Sequence, residues 1–148
     1  MKLLPLALGL SLAIPALAQD GGYWRATSKT ASSITGDLAL SEDKLTVNFS
    51  NFTIAEIRSL QPDEILSAFN FEATDRVAGN LYRLNIPARK MFLHKNTLCG
   101  AEDTTYMATA VSGKTMQVAF FSGGKMPTLT GEALATSTTL CGTYTYSR

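Results

Sequence analysis

From residue 23 onward apolar side chains recur mostly at every second position, the period of a strand with one buried face. Residues 23–27 follow Gly21-Gly22 and predict a first strand. In residues 33–40 Leu38 and Leu40 share a face, and in residues 45–49 Leu45, Val47 and Phe49 do so. The polar stretch 41–44 between them predicts a β-hairpin. Residues 80–86 place Tyr82, Leu84 and Ile86 on one side until Pro87 ends the run. A second hairpin is predicted from residues 105–111 and 115–121, with Gly113 supplying the positive φ of a tight reversal. Residues 140–146 give a closing strand with Leu140, Tyr144 and Tyr146 on one face, and Gly142 leaves a gap for a neighbour to fill.

Residues 53–70 depart from this alternation. Pro62 followed by Asp63 and Glu64 predicts a helix start, since proline lacks only an amide hydrogen unpaired at that position and carboxylates favour the positive end of the dipole. Ile65, Leu66, Ala68 and Phe69 form its apolar face, and the three-residue spacing in residues 53–60 predicts a separate helical turn before it. Residues 130–135 predict one more turn. Six or seven short strands around this insertion give a mainly β (α+β) fold: a small antiparallel β-barrel or bent sheet with one short helical insertion against one face.

The N-terminus sets the compartment. Met1-Lys2, an uncharged apolar run over residues 3–17 and the small-residue site Ala16-Leu17-Ala18 form the layout of a secretory signal peptide. Residues 1–18 are therefore expected to be removed, leaving residues 19–148 as a single secreted or periplasmic β-rich domain. No later stretch is long and apolar enough for a membrane helix. Loss of Lys2 leaves 12 of the 13 basic residues against 12 acidic ones. Both signs are scattered, the densest basic stretch being Arg89-Lys90 with Lys95, so no nucleic-acid partner is expected. The tetrapeptide Thr97-Leu98-Cys99-Gly100 returns as Thr139-Leu140-Cys141-Gly142. These hold the only two cysteines, and an oxidising compartment predicts that Cys99 and Cys141 are joined.

Gly22-Tyr23-Trp24 resembles the G-x-W of lipocalin-type barrels. That resemblance implies a first-strand tryptophan plugging the closed end, covered by a late basic residue such as Arg148. More of the chain, from Trp24 onward, resembles a group of uncharacterised small secreted bacterial proteins. The shared runs are Phe92-Leu93-His94, Asn96-Thr97-Leu98-Cys99-Gly100, Ala119-Phe120-Phe121-Ser122-Gly123 and Leu140-Cys141-Gly142-Thr143-Tyr144. The resemblance implies a bacterial source and one secreted domain, and it carries no active site.

Catalytic chemistry has little to draw on. His94 is the only histidine. Ser122, His94 and Asp103 hold the residue types of a nucleophilic triad without a G-x-S-x-G elbow. Cys99 with His94 would require a reduced thiol. His94, Glu102 and Asp103 lack the spacing of a metal site, and no metal or cofactor is expected. The sequence therefore points to a secreted or periplasmic binding protein for an apolar small molecule or a secreted or envelope protein. The alternatives are a small hydrolase using His94 and a structural protein of the cell envelope. Trp24, Tyr82, Phe92, Phe120, Phe121 and Tyr144 are the candidate ligand-binding residues. Phe120 and Phe121 face opposite ways on one strand, so one meets the core and the other a helix, a cavity or a partner.

Overall fold

A computed structural model describes residues 20–148 as a closed antiparallel barrel of eight strands. The expected signal peptide, residues 1–18, lies outside the described residues. The strands are β1 (Gly22–Ala26), β2 (Leu38–Leu40), β3 (Lys44–Val47), β4 (Ser50–Ser59), β5 (Ala78–Ile86), β6 (Thr104–Ser112), β7 (Thr115–Ser122) and β8 (Leu140–Ser147). Each pairs with the next, and β8 returns to β1 through Tyr146 opposite Ala26 and Ser147 opposite Arg25. Closure shortens the sheet edge open to another chain, the β1–β8 seam itself resting on two residue pairs. In this meander the β1–β2, β3–β4, β5–β6 and β7–β8 connections gather at one end, here called the loop end. The other three connections and the C-terminus lie at the opposite end.

Alternation places Trp24, Leu45, Val47, Met116, Val118, Phe120 and Tyr146 inside the barrel, joined by Phe92 and Leu98 from the β5–β6 connection. Those seven strand side chains have no surface that a water molecule can reach, from outside or from within. The barrel interior is thus occupied by side chains. A second apolar cluster lies on the outer face of β5, β6 and β7, where Leu60, Ile65 and Phe69 cover Leu81, Tyr106, Ala108, Ala110 and Phe121. Phe120 thus belongs to the interior and Phe121 to this outer layer. The two layers approach closely at Gly79, where an added Cβ would stand 2.5 Å from the Thr109 carbonyl oxygen and 3.1 Å from Leu60 Cδ1.

Three short helices occupy connections: α1 (Lys29–Ile34), α2 (Pro62–Ala68) and α3 (Gly131–Ala135). The predicted insertion is α2. Glu64 accepts from the Gln61 amide at 2.9 Å and from the two terminal Arg58 guanidinium nitrogens, so Arg58 holds its carboxyl below the ordinary range. A helix this short persists only by packing, which Ile65 and Phe69 provide.

Four local expectations are corrected. Residues 33–36 do not extend a strand: Ser28 caps the Ala31 amide at 3.1 Å, and a helix with buried Ala31 takes their place before Gly36 turns at φ 62°. Residues 53–60 form no helical turn. Residues 53–59 belong to β4, whose register shifts between Glu56 and Arg58, and that bulge turns a two-residue period into an apparent three-residue one. Leu140 parts from Tyr144 and Tyr146 because β8 shifts register between its partners Phe120 and Phe121; it packs on the outer cluster instead. Phe49 leaves the face of Leu45 and Val47 for the turn between β3 and β4, fully exposed.

The buried tyrosines make stability alkali-sensitive. Burial pushes the Tyr144 hydroxyl up to about 12 and raises Tyr82 and Tyr146 also. In the unfolded chain these hydroxyls ionise near pH 10. Their stabilising effect is thus complete below about pH 10 and is lost as pH climbs through the folded values. Phenolate absorbance and circular dichroism followed together should show these tyrosines ionising with unfolding. Ionisation of all of them in a still-folded protein would contradict this.

Candidate functional site

Trp24, Tyr82, Phe92, Phe120 and Tyr144 are brought together in the barrel interior, and Phe121 lies on the opposite side of the wall. Phe120 meets Tyr144 edge to face with ring centroids 5.3 Å apart. The Tyr144 ring fills the space at Gly142, with its Cε2 3.4 Å from where a Cβ would stand. Trp24 Nε1 donates to the Asp20 carbonyl at 2.8 Å. Arg148 lies 4.3 Å over the Trp24 ring and donates to the Gly21 carbonyl at 3.0 Å. Tyr82 donates to the Asp20 carboxylate at 2.6 Å. These contacts bind the aromatics to one another and to the chain itself.

The polar candidates are dispersed. His94 Nδ1 lies 3.0 Å from the Ser33 carbonyl, Asp103 accepts from the Ala88 amide, and buried Ser122 meets the Thr139 carbonyl. Among the described residues no hydrogen bond links these three side chains, and no three potential metal ligands are gathered. Cys99 and Cys141 form a disulfide, with Cα atoms 5.0 Å apart.

The features that a packed domain does not require lie at the loop end. Among the described residues the non-glycine positions with positive φ are Asn48, Phe49, His94 and Lys95, all in the β3–β4 and β5–β6 connections. A two-residue hairpin with positive φ at both central positions suits Asn-Gly, because a Cβ in the left-handed region crowds the following carbonyl. Here phenylalanine occupies the second position at φ 63° and is 100% exposed.

Two depressions flank this tip. One, of about 300 Å³, is lined by residues including Tyr23, Asp37, Thr46, Phe49 and Leu93. Tyr23 donates a short hydrogen bond to Asp37, which also accepts from the Ala26 amide. Both bonds hold the Asp37 carboxyl below its ordinary range. The other, of about 590 Å³, is lined by Ser50, Phe52, Pro87, Arg89, Lys90 and Met91. Met91 is 57% exposed, whereas Phe52 rests edge-on against Phe92 with centroids 6.2 Å apart.

This arrangement can bind by apolar contact and by charge. Periodicity assigned Phe49 to the core and left Met91 without a role. The signal available for Phe49 was the dipeptide Asn48-Phe49 where a tight reversal favours Asn-Gly. No family model, no curated protein and no solved structure matches the chain.

Proposed function

We propose that the protein is a secreted or periplasmic binding module that recognises a partner protein through the loop end of its barrel, with Phe49 as the anchor. The observation that carries this is a fully exposed phenylalanine in a left-handed turn. That conformation costs roughly 1–2 kcal/mol for a residue with a Cβ. With its side chain fully exposed, Phe49 returns no burial energy to the fold. Strained, exposed residues of this kind are characteristic of recognition sites, and aromatic anchors dominate protein interfaces. The filled interior favours a protein partner over apolar cargo inside the barrel. The separate engagements of His94, Ser122 and Asp103 favour binding over hydrolysis.

Phe49→Gly tests the idea because its two effects run in opposite directions. Relief of the turn, less the extra unfolded-state entropy of glycine, should raise stability by about 0.5–1 kcal/mol in urea. The same change should reduce retention of a polypeptide that co-purifies with the native protein, on the order of tenfold. Equal retention by both proteins would overturn the proposal.

A further inference from the structure

We infer that the groove beside the Phe49 hairpin receives a polypeptide segment carrying an apolar side chain flanked by carboxylates. This deepens the partner-protein proposal and rests on it. The floor of the groove is Phe52, backed by Phe92, and its apolar sides are Pro87 and Met91. Arg89 and Lys90 line it as well, and the Lys90 ammonium lies 5.9 Å over the centroid of the Phe92 ring that backs Phe52. Neither cation is neutralised internally: the one ion pair among the described residues is Arg58 with Glu64, on the other side of the fold from this connection. Asp103, the nearest acid along the chain besides Glu102, is committed to the Ala88 amide. Both acids line a separate depression with Gly123 and Gly124. An apolar floor beside two unpaired cations is complementary to an apolar side chain between acidic ones.

Three other occupants fit less well. Polybasic segments that hold anionic membranes carry about 4–8 lysines and arginines, and this groove offers two. Nucleic acid requires a basic stripe or patch, while the basic residues here are scattered over a chain with 13 basic and 12 acidic residues. A small amphipathic acid would need most of its surface enclosed, and this groove is an open furrow between the start of β4 and residues 87–91. A segment projecting from a larger partner needs no enclosure, because neighbouring contacts such as those of Phe49 share its burial.

Two capped tripeptides of opposite charge, Asp-Phe-Glu and Lys-Phe-Lys, test this by amide chemical-shift titration of the protein. The acidic peptide should shift Ser50, Phe52, Lys90 and Met91, and its affinity should fall about fivefold or more when salt rises from low to roughly physiological ionic strength. The double substitution Arg89→Glu with Lys90→Glu leaves the apolar floor intact, so the variant should fold. It should lose the acidic peptide by about tenfold or more and gain the basic one. Equal binding of both peptides, or an unchanged preference in the folded double variant, would overturn the assignment. So would binding of phosphatidylglycerol vesicles without binding of the acidic peptide. If Phe49→Gly releases a partner while the acidic peptide causes no shift at the groove, the groove assignment fails alone and the partner-protein proposal stands.

Discussion

Asp20→Ala is expected to destabilise the barrel by about 2–5 kcal/mol, although Asp20 precedes the first strand. Its carboxylate is buried inside the barrel, where Oδ2 accepts from Tyr82 at 2.6 Å, Thr109 at 2.7 Å and Asn80 at 3.2 Å. The Trp24 indole donates to its carbonyl, and Arg148 stacked on that indole donates to Gly21. Residues 20–24 thereby close the barrel end opposite the loop end. Alanine removes the acceptor and leaves the buried Tyr82 and Thr109 hydroxyls without a partner, each costing on the order of 1–3 kcal/mol, while the half-buried Asn80 amide can turn to water.

Asp20→Asn provides a finer measurement. Asp20 Oδ1 is buried with no partner among the described residues. An asparagine that keeps its oxygen on the three donors must put its amide group there, which costs about 1–3 kcal/mol. Urea titration should rank the stabilities wild type, Asp20→Asn, Asp20→Ala. A double-mutant cycle with Tyr82→Phe should show coupling of about 0.5–3 kcal/mol. Losses below about 1 kcal/mol for both substitutions, with no coupling, would show that the carboxylate does not hold this end.

Asp20 also marks where sequence reasoning stopped. Alternation identified the strands that carry Tyr82, Leu84, Ile86, Val118 and Phe120, because a buried face repeats at every second residue whatever the topology. Closure depends on long-range pairing of Tyr146 with Ala26, which no local pattern encodes. Bulges hid the faces of Leu140 and of residues 53–60, since one extra residue inverts everything beyond it. A charged residue buried near the chain start reads as solvent-facing until Asn80, Tyr82 and Thr109 are seen to converge on it. The aromatic candidates rest on apolar area, which describes core and binding site equally. Phe49 differs from them in its backbone, and the missing glycine after Asn48 was the legible trace of that difference.

Replacing Cys99 and Cys141 together by alanine is expected to cost about 4 kcal/mol. The bond joins residues separated by 42 positions, and closing a loop of that size in the unfolded chain removes conformational entropy on the order of 4 kcal/mol in the chain-entropy account. The folded state contributes through a particular place. Cys99 lies one residue beyond Leu98 in the β5–β6 connection, which also lowers Phe92 onto the interior, and Cys141 lies at the start of β8. The bond thus fastens the segment that plugs the loop end to the far side of the β6–β7 hairpin. With a urea slope of roughly 2 kcal/mol/M, the midpoint should fall by about 2 M. The m-value should rise as the unlinked denatured chain expands. Typical domain stabilities of about 5–15 kcal/mol leave the variant folded, so its native state can be compared directly. Hydrogen exchange then separates the two contributions. If the bond acts only on the unfolded chain, protection falls uniformly by the global loss. If it also pins the plug, amides in residues 92–98 exchange faster than the global loss explains, and the Phe49 and Arg89 surface that depends on this connection loses its fixed geometry. A midpoint within about 0.3 M of the wild type, with unchanged exchange at residues 92–98, would show that packing of Phe92 and Leu98 alone seals this end.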